Sequence, residues 1–189
     1  MDELKTLVSH ENNDLLDVIL DANFNHWIWW IYVGPDRPKY ASTLNEYLAF
    51  FSNSIRAHFF TLIISLYKLY DTTKATNNFN RLLKLVKNNT SFSQDEIRAI
   101  EDRFMRALVI WKKVKILRHN YFAHLKFNVD TESIYKEANI TPNEFKELIN
   151  LSMEIFNLVR QHYNEDKLRL ISPEKDFYRL LDALQSKIA

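Results

Sequence analysis

The sequence contains no cysteine. Disulfides, zinc–thiolate fingers, iron–sulfur clusters and thiol nucleophiles are therefore excluded, and the lack fits a reducing compartment. Glycine occurs once, at Gly34, and proline four times in 189 residues. β-Hairpins, dinucleotide-binding turns and phosphate loops need glycine where the backbone takes positive φ or approaches a ligand closely. Those architectures are excluded as well, whereas helices joined by polar loops need little glycine. Neither sign of charge dominates: 25 Lys and Arg stand against 24 Asp and Glu, a net charge of +1. The chain as a whole is then no electrostatic nucleic-acid binder, and any such role must come from a local patch. The longest apolar runs, around Trp27–Val33 and Phe59–Leu66, fall short of the ~20 residues that span a bilayer. Met1-Asp2-Glu3-Leu4-Lys5 does not read as a secretion signal, so a cytoplasmic protein without a membrane partner is expected. No histidine follows a carboxylate by three positions and no His-Glu-x-x-His is present, so neither a metal site nor another cofactor is expected.

What is present reads as helix. Hydrophobic residues make up 47% of the chain and charged residues 26%, the balance of a globular fold. Asp14–Tyr32 carries Leu15, Ile19, Ala22, His26 and Trp29 at helical spacing and stops at Gly34-Pro35-Asp36-Arg37-Pro38, a turn cluster. Thr43-x-x-Glu46 has the form of a capping box and opens a second helix, apolar on two faces, that runs to about Asp71. Residues 72–90 are polar, with a short helix near Arg81–Lys87. Ser93-x-x-Glu96 opens a third long helix with the stripe Ile97, Ile100, Phe104, Leu108, Trp111, Val114, Leu117, Tyr121 and Leu125. Thr141-Pro142-Asn143-Glu144 combines a capping box with proline at the first helical position, and Phe145–Tyr163 follows. Ser172-Pro173-Glu174 opens a last short helix to about Ser186. The expected fold is all-α: an up-and-down four-helix bundle with short accessory helices, one domain over 1–189 with its core at about 10–165 and an accessory helix at 172–186.

The third helix has one unusual property. Between Asp102 and Asp130 there is no acidic residue, and the stretch holds Arg103, Arg106, Lys112, Lys113, Lys115, Arg118 and Lys126 with His119 and His124. The helix dipole favours cations by about 0.3–1 kcal/mol each, but only in the last turn. A strip this long on a neutral protein points to an anionic ligand or a nucleic-acid backbone as readily as to a solvated face. Trp27, Trp29, Trp30 and Tyr32 invite comparison with a base-stacking surface, but such clusters more often pack a core or an interface. His58 shares an apolar face with Ile55 and Leu62 and reads as a hydrogen-bonded core histidine.

Within the strip stands Leu117-Arg118-His119-Asn120-Tyr121-Phe122-Ala123-His124-Leu125-Lys126. An arginine, a polar follower, and a histidine after five intervening residues resemble the signature of the HEPN superfamily. The Arg-polar…Ala-His wording is closest to its abortive-infection branch. The resemblance implies a four- or five-helix bundle with the motif on a late core helix, and a metal-independent endoribonuclease in a toxin or phage-defence role. It also implies a homodimer that pairs two motifs in one cleft, with RNA as substrate, 2′,3′-cyclic phosphate products and a possible antitoxin protein as partner. Arg118, His124 and His119 would be catalytic; Asn120, Tyr121 and Asp71 would support them, and Lys112, Lys113, Lys115 and Lys126 would hold the RNA backbone. On a regular α-helix Arg118 and His124 stand about 120° and about 9 Å apart, too far for one tight site. A two-fold axis would supply the missing groups. The alternative is a HEPN-like module without catalysis that binds a nucleotide, RNA or a protein, or a plain helical interaction module.

Overall fold

The first long helix begins where the Asn13 side chain accepts hydrogen bonds from the amides of Leu15 and Leu16. The same side chain donates to the carbonyls of Leu7 and Ser9, both at 2.7 Å, and so ties a short preceding helix to it. In the computed structural model residues 3–9, 13–73, 76–123 and 136–188 are described. They form α1 (Glu3–Val8), α2 (Asp14–Val33), a 3₁₀ turn (Arg37–Tyr40), α3 (Ala41–Glu46), α4 (Leu48–Tyr70), α5 (Phe79–Asn88) and α6 (Gln94–Leu117). A π-helical segment (Arg118–Ala123), α7 (Pro142–His162) and α8 (Glu174–Ile188) follow. There is no strand among the described residues, and the fold is all-α.

The four long helices pack in a ring, α2 on α4, α4 on α6, α6 on α7, and α7 back on α2. Neighbours run antiparallel. Tyr70 lies by Phe104, while Tyr67, one turn earlier on α4, lies by Trp111, later on α6. Ile19, Leu62, Leu66, Val114, Leu148 and Phe156 have no exposure and form the centre. The Tyr70 hydroxyl is buried there 2.9 Å from the Ser152 hydroxyl, and burial pushes it well above the ordinary tyrosine range. A second, smaller core joins Ile31, Tyr32, Tyr40, Leu44 and Phe51 to Leu181 of α8. Tyr40 and Lys39 both reach Asp182 there, fastening α8.

Two of the three capping boxes form. Ser93 and Thr141 each accept the amide three residues on, while Glu96 and Glu144 return to the cap amides. The third does not. Thr43 lies inside α3, its hydroxyl buried without a hydrogen bond among the described residues, and the chain breaks at Tyr47 before α4 starts without a side-chain cap. The expected second helix is therefore two. As a unit α4 has 23 residues, and an 18-residue window of it has a mean hydropathy of 1.2, so it is long and apolar enough to cross a membrane by length and composition alone. Polar residues interrupt its apolar runs without lowering the average enough to fail that test. A core helix of a bundle passes it equally well.

The single glycine is explained by proximity and not by an unusual dihedral. Gly34 caps α2 with φ −79°, which any residue adopts, but a Cβ there would stand 2.5 Å from the Trp30 carbonyl oxygen and 2.9 Å from Trp30 Cε2. Gly34→Ala is expected to lower stability by about 1–3 kcal/mol, as overpacking does, and a urea midpoint equal to that of wild type would refute it. His26 supplies a second test. It is 3% exposed, and burial pushes its pKa from 6.5 down to about 4; a hydrogen bond to the Pro142 backbone opposes the shift and Lys146 adds to it. Between those two values the unfolded chain binds a proton that the fold refuses, so stability falls as pH drops from about 6.5 to about 4, by up to about 3 kcal/mol. Thermal melts across that window should slope less for His26→Gln than for wild type; parallel slopes would refute the assignment.

Candidate active site

Helix α6 ends in a change of hydrogen bonding. The Arg118 amide still reaches back to Val114 and Lys115, but Arg118–Ala123 winds as a π-helix, with bonds spanning five residues instead of four. A regular α-helix is the expectation through Arg118–Ala123; the structure instead winds it as a π-turn, which takes in more residues per turn. Such turns are rare and are frequent at functional sites. His124 and Lys126 lie outside the described residues, as does the side chain of Tyr121.

The widened turn brings two consecutive motif residues to one ring. The Arg118 guanidinium carbon lies 4.8 Å from the centre of the Tyr67 ring, and the His119 ring lies 5.7 Å from it. Trp111 stacks on Tyr67 at 5.8 Å with 28° between the planes, and its indole N–H donates to the Tyr67 carbonyl at 3.1 Å. The Tyr67 hydroxyl donates to Asp71 Oδ1 at 3.3 Å. Burial raises the Tyr67 hydroxyl above its ordinary range, the Asp71 charge and hydrogen bond add to this, and Arg118 opposes it. The phenol therefore stays a donor at neutral pH.

Asp71 caps the end of α4. Its Oδ1 accepts the Thr72 amide and its Oδ2 the Thr73 hydroxyl, both at 2.8 Å. It forms no ion pair with Arg118 and meets the site through Tyr67. Asn120 donates to Glu137 at 3.1 Å, which turns its amide group toward the chain ahead of α7.

The basic strip divides in two. Arg103 pairs with Glu154 at 2.7 Å, Arg106 with Glu147 at 3.1 Å and Lys113 with Glu144 at 2.5 Å. Burial alone would raise the Glu144 carboxyl, but hydrogen bonds from Lys113 and Thr141 outweigh it and hold it low. These three cations join α6 to α7. Lys112 and Lys115 are exposed, and Lys115 sits over Trp111 with Nζ 5.6 Å from the ring centre. Among the described residues neither has a carboxylate partner, and neither does Arg118. Thus the described cations of the strip without a carboxylate partner are Lys112, Lys115 and Arg118, while Lys113 is engaged within the fold. A guanidinium held by an aromatic face keeps its N–H fork for phosphate oxygens.

Other candidates resolve as packing. Trp29 sits between Phe59 at 5.2 Å and Phe145 at 5.8 Å, and Trp27 lies under Lys146. His58 Nδ1 is 2.7 Å from Asn25 Oδ1, as a satisfied half-buried histidine should be. At the far end of α6, His162 lies between Glu96 Oε1 and Ser91 Oγ, each at 2.9 Å, with Phe92 stacked on its ring. Ser, His and Glu in that order have the outline of a nucleophilic relay. However, the Ser91 hydroxyl donates to Asn89 Oδ1 at 2.7 Å, so its proton is directed away from the histidine. The Ser93 hydroxyl, His162 and the Ser93 amide together pull the Glu96 pKa down to about 2, and the group braces the start of α6 against the end of α7. Among the described residues no three His, Asp or Glu converge in a way that would hold a metal ion.

Tyr67 is the site residue that sequence reasoning missed. Its meeting with Arg118 depends on how two helices align, which the apolar pattern of one helix does not state. The resemblance drawn from the motif is borne out across the chain. A family model for AbiU2, of HEPN type, matches residues 1–184. No curated protein and no solved structure matches the chain. With nearly all its length matched by that model, the chain belongs to AbiU2, a HEPN-like abortive-infection family.

Proposed function

We propose that the protein is a metal-independent endoribonuclease that acts as a dimer in abortive infection. The observation that carries the reading is Arg118: an arginine of the motif, held on an aromatic ring at a π-turn, with no carboxylate neutralising it among the described residues. RNA can be cut by its own 2′-hydroxyl. A base removes the hydroxyl proton, the 2′-oxygen attacks the adjacent phosphorus, the bond to the 5′-oxygen breaks, and an acid protonates that oxygen. The products are a 2′,3′-cyclic phosphate and a 5′-hydroxyl. Imidazole titrates near neutrality and suits both proton transfers, so His124 is assigned as general acid or base. Arg118 binds the phosphate through its fork and stabilises the added charge of the transition state. His119 orients the group beside it, and Lys112 and Lys115 draw the RNA backbone to the end of α6. Lys126 is assigned to the RNA backbone with them, Asn120 and Tyr121 remain supporting assignments, and Lys113 is placed behind because Glu144 already engages it.

One motif supplies one arginine and one histidine following it; a two-fold axis doubles both. Met105 and Val109, 61% and 62% exposed on α6, place apolar surface on the motif helix and support association with a second copy. An antitoxin-like protein covering the same end of the bundle, and action in the cytoplasm, complete the proposal.

The test is incubation of the purified protein with RNA in EDTA. Wild type is expected to release fragments ending in 2′,3′-cyclic phosphate. His124→Ala and Arg118→Ala are each expected to lower the rate by about 10²-fold or more. Equal rates for all three would overturn the reading, and binding without cleavage by wild type would favour the non-catalytic module. Light scattering should give twice the 22.6 kDa chain mass; an active monomer would remove the dimer from the proposal.

A further inference from the structure

We propose that Tyr67 is a positioning residue that aims Arg118 without neutralising it, and that Asp71 acts on the site through the Tyr67 hydroxyl. The inference rests on the ribonuclease reading and deepens it.

Among the described residues, several arginines at the helix contacts are held by carboxylates. Arg103, Arg106 and Arg160 are fixed by Glu154, Glu147 and Glu165. Each of these pairs cancels the charge and occupies part of the guanidinium fork. Arg118 is fixed by the face of Tyr67 instead, at 4.8 Å. A cation over a ring is attracted by the ring quadrupole while its in-plane N–H groups point elsewhere. A phosphate clamp requires a held position and a charge not cancelled by a carboxylate, and Arg118 has both among the described residues.

A ring can position a cation only if it is itself immobile. Three contacts fix Tyr67. Its ring stacks on Trp111. Its carbonyl belongs to the last turn of α4, where helical carbonyls lose their partners, and the Trp111 indole N–H satisfies it at 3.1 Å. Its hydroxyl is anchored by Asp71, which the Thr72 amide and the Thr73 hydroxyl hold in turn. An Asp71 placed directly against Arg118 would form the neutralising pair that the site avoids. One residue removed, it fixes the platform and leaves the cation intact. The His119 ring lies against the same tyrosine, so one side chain sets the place of both consecutive motif residues.

The experiment is a mutant cycle read by cleavage of a fluorogenic single-stranded RNA oligonucleotide, with thermal melts as the check on folding. Tyr67→Phe keeps the ring face and is expected to retain kcat within about 5-fold. Tyr67→Leu is expected to lower kcat by about 10²-fold, the scale of a misplaced catalytic group, with a much smaller change in KM. Asp71→Ala should match Tyr67→Phe, since both delete the same hydroxyl contact, and a much larger loss at Asp71 would overturn its action through the tyrosine. In the double variant Tyr67→Leu/Arg118→Ala the loss should equal that of Arg118→Ala alone, because the ring then has nothing to aim. A purely structural tyrosine would give losses that multiply, and that result overturns the inference, as would wild-type kcat for Tyr67→Leu. If Tyr67→Leu melts too low to assay, Tyr67→Met carries the same cycle with Arg118→Ala. Should Arg118→Ala itself cleave like wild type, the ribonuclease reading fails and takes the inference with it. Loss with Arg118→Ala but none with Tyr67→Leu sinks the inference alone.

Discussion

The register of α6 against α4 is the constraint on which the candidate site depends. A slip of one helical turn moves a side chain by about 5.4 Å, enough to carry Arg118 off the Tyr67 ring. Buried layers below the site prevent that slip. Tyr70 packs on Phe79 at 5.0 Å and on Phe104 at 5.8 Å, and its hydroxyl is tied to Ser152 of α7. One turn along α4, Trp111 locks to the Tyr67 backbone. The buried tyrosine sets the height of α6, and the half-buried one above it receives the motif. Stability and site geometry thus share a single column of aromatic residues.

The parts of the fold that sequence made legible are those decided locally. Ser93 and Thr141 each have an acid three residues on and an apolar run behind, and both open helices as that pattern requires. Thr43-x-x-Glu46 has the same letters and opens nothing. There the helix start is set by Tyr40 and Leu44, which bury into the second core and draw the preceding residues into helix, so Thr43 is already internal. A capping box states a preference, and tertiary packing overruled it. The π-turn over Arg118–Ala123 has no comparable local signature, which is why a regular helix was the natural expectation there. Arg118 and His119 were legible from the motif. Tyr67 was not, because sequence separation of 51 positions says nothing about contact until the register of two helices is known.

Charge shows the same division between local and nonlocal information. Counted along α6 alone, the cations appear uncompensated. Across the groove, α7 supplies Glu144, Glu147 and Glu154, which meet Lys113, Arg106 and Arg103 in antiparallel order. Taken together, the two helices separate cations paired across the groove from cations with no carboxylate partner among the described residues. Among the described residues of the strip the second group is Lys112, Lys115 and Arg118, all toward the motif end of α6. A net charge of +1 conceals this sorting, since it averages over pairs already spent.

The sorting also explains why the motif arginine needs an aromatic support. Exposed ion pairs contribute little, with a median near 0–1 kcal/mol, so the α6–α7 pairs serve more to satisfy charge than to bind the helices together. A carboxylate beside Arg118 would have added no more to stability and would have taken away the charge that the site requires. An aromatic face fixes the same guanidinium by quadrupole attraction and leaves the charge in place. Positioning and neutralisation are normally coupled, because the groups that hold a cation best are anions. Tyr67 separates them, and Asp71, held one residue back, lends its negative charge to the ring's hydroxyl instead of to the arginine. The local sequence Tyr67-x-x-x-Asp71 on one helix face, brought by register beneath Arg118, is therefore the smallest unit from which the chemistry of the candidate site can be built.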